Sequence, residues 1–435
     1  MKKHRLLAVL TVALVAALAI AAAAVGGKAP AREDRAAGAS NTISVTAIWG
    51  GAEQRSFEAV LKRFNDTTTY TAKYTSGGDQ LPTTLATQVR GGNPPDIAVL
   101  GQPGLLRDFA RRKALKPITF ARGAIRANFA PDWLRLGTVN GTLYGLFYKG
   151  ANKSTIWYNV PAFRSAGVTP PATFPALIRA ARTIRASGVP PFSIGGADGW
   201  TLTDLFENIY LRQAGGALYD RLAAHTIPWT HPSVKRALRT MAQIVGDPQN
   251  IAGGVAGALQ TDFPTSVSQV FRTPPRAAMV IEGDFVGGVI SDSTRARPRT
   301  GYNVFNFPTI GGRQAVVGGG DVVVMFRDTP AARALIRFLA SPQAAAIWAR
   351  RGGYASPNRR LSAGTYPDAI TRTTASALAR ARTFRFDLSD LQPSAFGGTV
   401  GQGLFKLFQD FVRTPTDVDG IARKMEQAAA RAYKG

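Results

Sequence analysis

Cysteine is absent from the 435 residues, which removes disulfides, thiolate metal sites and cysteine nucleophiles in one step. Stability must come from packing. Histidine is scarce: of three, His4 precedes an apolar leader, and His225 and His231 in "HTIPWTH" are separated by a proline, off the spacing of a helical metal pair. No cofactor or metal motif stands out. Acidic residues are few, 27 against 53 Lys and Arg, giving a formal charge of +26. Such an excess ordinarily raises nucleic acid or another polyanion as a partner. Here the arginines recur at helix-surface spacing, as in "IRAARTIRA" and "LARARTFRF", without aromatics interleaved on a strand. They read as solvated helix faces, with attraction to anionic lipid or wall polymer as a side effect and no nucleic-acid partner.

Long hydrophobic runs are missing with one exception. Lys2, Lys3, His4 and Arg5 precede an apolar stretch from Leu6 to Val25, the pattern of an export signal. Its length approaches a bilayer span, so a cleaved signal and a retained anchor both remain open. Residues 1–25 are thus a signal or anchor segment, and residues 26–41 ("GKAPAREDRAAGASN" from Gly27) a flexible tether rich in small and charged residues. The chain from Thr42 onward is expected to fold outside the cytosol. At 45% hydrophobic, the protein is long enough for two domains with sizeable cores.

A strand over Thr42–Trp49 is followed by Phe57, Val60, Leu61 and Phe64 at helical spacing. "YTAKYT", "SGGD" and the helix Leu81–Arg90 repeat the pattern, and "PPDIAVL", "GQPG" and another helix repeat it again. Strand, glycine turn and helix in succession predict an α/β fold with a parallel sheet covered on both faces. Ligands of such sheets lie beyond the carboxyl ends of the strands, where "WGGAE", "SGGD" and "GQPG" fall. The dinucleotide fingerprint G-x-G-x-x-G is missing there. Further on, "VPPFSIGGADGW" reads as a strand and glycine turn, "RAAMVIEGDF" as a strand breaking at Glu282, and "AVVGGGDVVVMF" as a strand preceded by glycines. Thr329 and Ser341, each before a proline, are N-caps of a helix pair.

The ordered set "PPDIAVL", "LYGLFY…WYN", "AAMVIEGDF", "GGDVVVMFRDTP…SPQAAAIWARRGGYASPN" and "LSDLQPSAFGG" resembles the carbohydrate-type extracellular solute-binding proteins of ABC importers, with the later segments most similar to the alpha-glucoside-binding branch. The resemblance spans nearly the whole chain after the tether. It implies a periplasmic-binding-protein-like fold of two lobes joined by a hinge. Lobe one would be residues 42–147 plus 308–350 and lobe two residues 148–307 plus 351–435, with crossings near Phe147, Phe307 and Arg351. It further implies a neutral oligosaccharide ligand, an alpha-glucoside in that branch, membrane permease subunits as partners, and a monomer. The N-terminal segment departs from the family: "AAAAVGG" has Val25 where a lipidated cysteine is usual, so a diacylglycerol anchor is excluded chemically.

Sugar recognition uses flat aromatic faces for pyranose C–H patches and polar groups for hydroxyls. Trp200, ending "GGADGW", is the leading aromatic; Phe285 and Phe396 stand where the resemblance implies ring platforms, and Trp49 is divided between cleft lip and buried strand end. The polar candidates are Glu53 and Gln102 on first-lobe turns, Lys149 beside the first crossing, Asp321 after three glycines, and Glu282 and Asp284 on the second lobe. Trp157, Trp229 and Trp348 read as packing residues, and Asp96 as structural. Two alternatives stay open. An arginine-rich cleft would select an anionic solute, against which the nominated carboxylates argue. Glu282 and Asp284 would serve a secreted carbohydrate-active enzyme as acid and base, but two residues in one turn do not flank a scissile bond, and no enzyme is expected.

Overall fold

The computed structural model describes residues 41–380 and 383–434. The expected leader, and all of the tether but Asn41, lie outside the described residues. Among those described, no helix is long and apolar enough to cross a membrane.

The strands in chain order are β1 (Thr42–Ala47), β2 (Thr71–Ser76), β3 (Ile97–Leu100), the hairpin β4 (Thr138–Val139) and β5 (Thr142–Leu143), β6 (Gly145–Asn152), β7 (Thr155–Asn159), β8 (Phe192–Ser193), β9 (Met279–Ile281), β10 (Tyr302–Asn306), β11 (Val316–Met325) and β12 (Phe384–Phe386). The first sheet runs β12-β11-β3-β1-β2, with β6 also paired to β11. β1 is parallel to both β2 and β3, whereas β11 runs antiparallel to β3 and β6. Ile43, Val45 and Ala47 alternate inward along β1, and all of β3 is buried because helices cover both faces. On one face lie the helices Gly51–Thr67, Pro330–Leu339 and Pro342–Ala349; on the other lie Leu81–Arg90 and Pro103–Arg111. Thr329 and Ser341 cap two of these helices as expected, accepting from the Ala332 and Ala344 amides at 3.1 and 3.2 Å.

The second sheet runs β10-β7-β9-β8, with only β8 and β9 parallel. Ile156, Tyr158 and Met279 face a helical core built around Trp200–Ala214, Pro232–Val245 and Gly403–Arg413, while Trp157 and Val280 face the helices Phe263–Phe271 and Val286–Ser293.

The chain passes between the two sheets at places that differ from the expected crossings. β6 belongs to the first sheet through Asn152, and β7 joins the second from Thr155, so the first passage is at Lys153 and Ser154. Ala315 and Val317 pack in the second core and Val322 to Met325 in the first, so the return passage runs along β11 through Gly318–Gly320 and not at Phe307. Tyr354 and Tyr366 pack with β1 and its helices, so the chain directly after Arg351 stays on the first lobe, and Leu388 and Phe396 further on pack in the second core. The glycines expected to precede this strand are part of it, since closely packed strands also call for glycine. Here it is strand interior: a Cβ on Gly319 would stand 2.7 Å from the Lys153 side chain.

Candidate functional site

β1 has β2 on one side and β3 on the other, so the chain reverses its direction of travel across the sheet there. In such sheets a ligand lies beyond the carboxyl ends of the strands, at this switch point. β6 carries Lys149 and Ala151 on one face by strand alternation, and Lys153 follows directly after its end. Each lysine organises a cluster of acids.

Lys149 is 4% exposed and pairs with Glu53, from the first turn of the helix after β1, and with Asp321 at 3.5 Å. Asp321 lies directly opposite Lys149 in the β6–β11 register, where the ladder shifts. The Trp49 indole N–H donates to Asp321 at 2.8 Å. From the second lobe, the Phe285 ring centroid is 5.1 Å from the Lys149 ammonium, and Asp284 joins the group. Burial alone would lower the Lys149 pKa, but Glu53, Asp321 and Asp284 raise it, so the ammonium stays charged. Asp284 is 4% exposed, and neither carboxylate oxygen has a hydrogen-bond partner. Burial pushes it up to about 7 against the pull of Lys149.

Lys153 contacts Asp387 at 2.5 Å, Asp204 at 3.1 Å and Asp390 at 3.7 Å, and stands 5.7 Å from the Trp200 ring centroid. Burial raises Asp204 and Asp390 well above the usual carboxylate range, whereas Lys153 overcomes burial at Asp387 and holds it at about 2. Glu282 is raised by burial and by the charge of Asp204. Its Oε1 and the Asp204 Oδ2 are both buried without a hydrogen-bond partner. Oxygens of Asp204, Glu207 and Asp387 lie within 4.8 Å of one another, close enough for a metal ion. The Lys153 ammonium already fills that role, and Glu207 is taken up by the Leu388 and Ser389 amides and the Tyr219 hydroxyl.

The aromatic side of the cleft is a group of three rings. Trp200 opens its helix after Gly199, whose φ of 82° is readily adopted only by glycine. Its ring lies 5.1 Å from Phe263 and 6.0 Å from Phe285, and those two are 5.3 Å apart, all steeply inclined. Trp200 is half-buried, so ring surface remains available to a ligand.

The structure therefore connects Glu53, Lys149, Trp200, Glu282, Asp284, Phe285 and Asp321 through neighbouring contacts around the two lysines. Gln102 stands to the side, where its amide donates to the Gly398 carbonyl of the other lobe at 3.1 Å. Trp49 is divided in function: its ring is core, edge-on to Phe57 and Trp348, and its N–H alone reaches the site. Phe396 is a correction. It is 1% exposed and packs 5.3 Å from Trp229 in the second-lobe core, because the short helix Ser394–Gly397 turns the ring inward. Trp157, Trp229 and Trp348 are buried, and Asp96 ties β1 to β3 by accepting from the Ser44 amide and hydroxyl. Sequence reasoning missed Asp204, Phe263, Asp387 and Asp390. Asp204 had a readable signal, four residues after Trp200 on the same helix face; Asp387 and Asp390, in "FDLSDLQ", meet Lys153 only through the fold.

The family model for bacterial extracellular solute-binding proteins matches residues 50–346, more than half of the chain. The osmoprotective compounds-binding protein GgtB of Synechocystis sp. is 33% identical over 371 residues, covering 83% of this chain and 87% of that protein. The alpha-glucosides-binding periplasmic protein AglE of Rhizobium meliloti is 30% identical over 398 residues, covering 88% and 85%. Among solved structures, the solute receptor AcbH aligns with a TM-score of 0.78 at 19% identity, over 90% of this chain and 98% of that one. A chitin oligosaccharide binding protein aligns at 0.77 and 19%, over 91% and 100%. Both share the two-lobe architecture. The chain belongs to the bacterial extracellular solute-binding protein family.

Proposed function

We propose that the protein captures a neutral sugar, an alpha-glucoside, in the cleft between its lobes, and as a monomer delivers it uncleaved to the membrane permease of an ABC importer. The observation that carries this reading is Asp284: a carboxylate buried on the second lobe with both oxygens unpartnered, beside an inclined trio of rings and facing the first-lobe lysine cluster. Sugar hydroxyls supply the missing donors and the rings take the C–H faces. The names of GgtB and AglE, for osmoprotective compounds and alpha-glucosides, support a small glycosylated solute. An anionic solute is disfavoured, because Glu53, Asp204, Glu282, Asp284, Asp321, Asp387 and Asp390 outnumber two lysines that are already paired. Hydrolysis is disfavoured as well, since Glu282 is directed to Asp204 and Asp284 to Lys149, so they do not oppose one another across a bond.

Closure follows from contacts that span the lobes. Arg55 pairs with Asp292, and Gln102 with Gly398, on separate parts of the cleft rim. A ligand touching both lobes adds to these and favours the closed state, which the permease then recognises. The test is tryptophan fluorescence titrated with maltose, trehalose, sucrose, longer α-glucans and an acidic sugar, with product analysis on the same samples. A saturable shift with an uncleaved neutral sugar is expected. Response to the acidic sugar alone, or released monosaccharide, would overturn the proposal.

A further inference from the structure

The excess of positive charge plays no part in the cleft, where carboxylates dominate. On the first lobe, five arginines share one outer face. Arg122 and Arg126 belong to the helix Arg122–Asn128, Arg337 to the helix Pro330–Leu339, and Arg359 and Arg360 to the segment after Pro357. Their contacts show that these pieces adjoin. Arg359 donates to the Arg126 and Ala127 carbonyls at 3.3 and 3.2 Å, and Arg360 to the Ala127 carbonyl at 3.3 Å. Arg122 donates to the Gly141 carbonyl at 3.2 Å, and the Arg337 guanidinium lies 5.0 Å from the centre of the Phe120 ring, two residues before Arg122.

Among the described residues, none of these five arginines is paired with a carboxylate. At the margin Asp328 is held by Arg333 through two bonds of 2.6 Å, and Arg333 covers the same Phe120 ring. Carbonyl partners orient a guanidinium without neutralising it, and leave N–H donors free for a bidentate anion. On the second lobe the exposed Arg179, Arg182, Arg236, Arg239 and Arg423 are likewise without a carboxylate partner among the described residues, and Arg239 and Arg423 lie near Asp419, which pairs with Lys235.

We propose that this face, carrying Arg122, Arg126, Arg337, Arg359 and Arg360, docks on the phosphate headgroups of an anionic membrane. A membrane presents phosphates across a plane at a negative surface potential, which suits guanidiniums spread over one outer face. A nucleic acid fits less well, because Phe120 is covered by two guanidiniums and offers no free ring for base stacking.

The experiment is co-sedimentation of the full chain with phosphatidylglycerol-containing vesicles and with pure phosphatidylcholine vesicles. Three chains are compared: wild type, the five arginines changed to Gln, and a control with Arg179, Arg182, Arg236, Arg239 and Arg423 changed to Gln. All three share the N-terminal apolar segment and the two variants share their net charge, so differences between the variants report the face itself. The first variant is expected to bind the anionic vesicles at least ~100-fold more weakly than wild type, and the control less than ~10-fold more weakly. A further variant with Lys at the five positions of the face keeps the charge and is expected to retain most of the binding, with circular dichroism confirming the fold of each chain. Equal losses in the two Gln variants, unchanged binding of the first, or tighter binding of wild type to duplex DNA than to the vesicles would each overturn the proposal.

Discussion

The indole N–H of Trp49 donates to the carboxylate of Asp321 at 2.8 Å, joining residues 272 apart in sequence. One side chain thereby links the core to the cleft: its ring packs against Phe57 and Trp348, while its edge fixes an acid that also faces Lys149. The glycine turn after Trp49 then brings Glu53 to the same lysine.

Trp49→Phe keeps most of the packing and removes the donor. Asp321 would lose a charge-assisted bond of about 1.5–3 kcal/mol. Urea unfolding is expected to show a loss in that range, together with weaker sugar binding. Unchanged stability would mean that water replaces the indole without cost.

Trp200→Ala and Asp284→Ala are expected to weaken binding by about 2 kcal/mol each, about thirtyfold in Kd, with far-UV circular dichroism unchanged. Phe396→Ala is expected to behave differently, lowering the melting temperature through a core cavity worth about 3–5 kcal/mol. If Asp284→Ala and Trp200→Ala both bind as wild type does, the site lies elsewhere.

Asp284 makes stability depend on pH. Its folded pKa of about 7 stands above the ordinary 3.8, so between those values the folded chain holds a proton that the unfolded chain has released. Stability from this group is therefore fully present below about pH 4 and falls as pH rises to about 7, by at most ~4 kcal/mol. Comparing wild type with Asp284→Asn by urea unfolding near pH 5 and near pH 8 isolates it. The variant should gain on wild type at the higher pH, and parallel curves would refute the assignment.

Lys153→Met removes the ammonium shared by Asp204, Asp387 and Asp390. Breaking a buried pair on one side costs about 3–5 kcal/mol, because charge is left uncompensated. The loss is expected to be larger at neutral than at mildly acidic pH, where the acids accept protons. Adding Asp387→Asn should restore part of it, and thermal unfolding of the single and double variants provides the check.

Much of the first lobe was legible in the sequence, since alternation along β1, the all-apolar β3 and the helical spacing of Phe57, Val60, Leu61 and Phe64 are local patterns set by burial on one or two faces. The helix Leu81–Arg90 has its expected bounds, with Gly91 as its C-cap, and the Thr329 and Ser341 caps form where hydroxyl and proline stand together. Chain composition also determined that no thiol chemistry takes part. Tertiary structure decided the rest. Gly318–Gly320 lie within a strand where Phe384, Lys153 and the Lys149 carbonyl occupy the space side chains would fill, and the direction of the Phe396 ring depends on a helix turn that leaves no periodic trace. Asp204, Asp387 and Asp390 converge on Lys153 from separate segments, and a buried ammonium selects its partners by distance in space, which residue spacing along the chain does not encode.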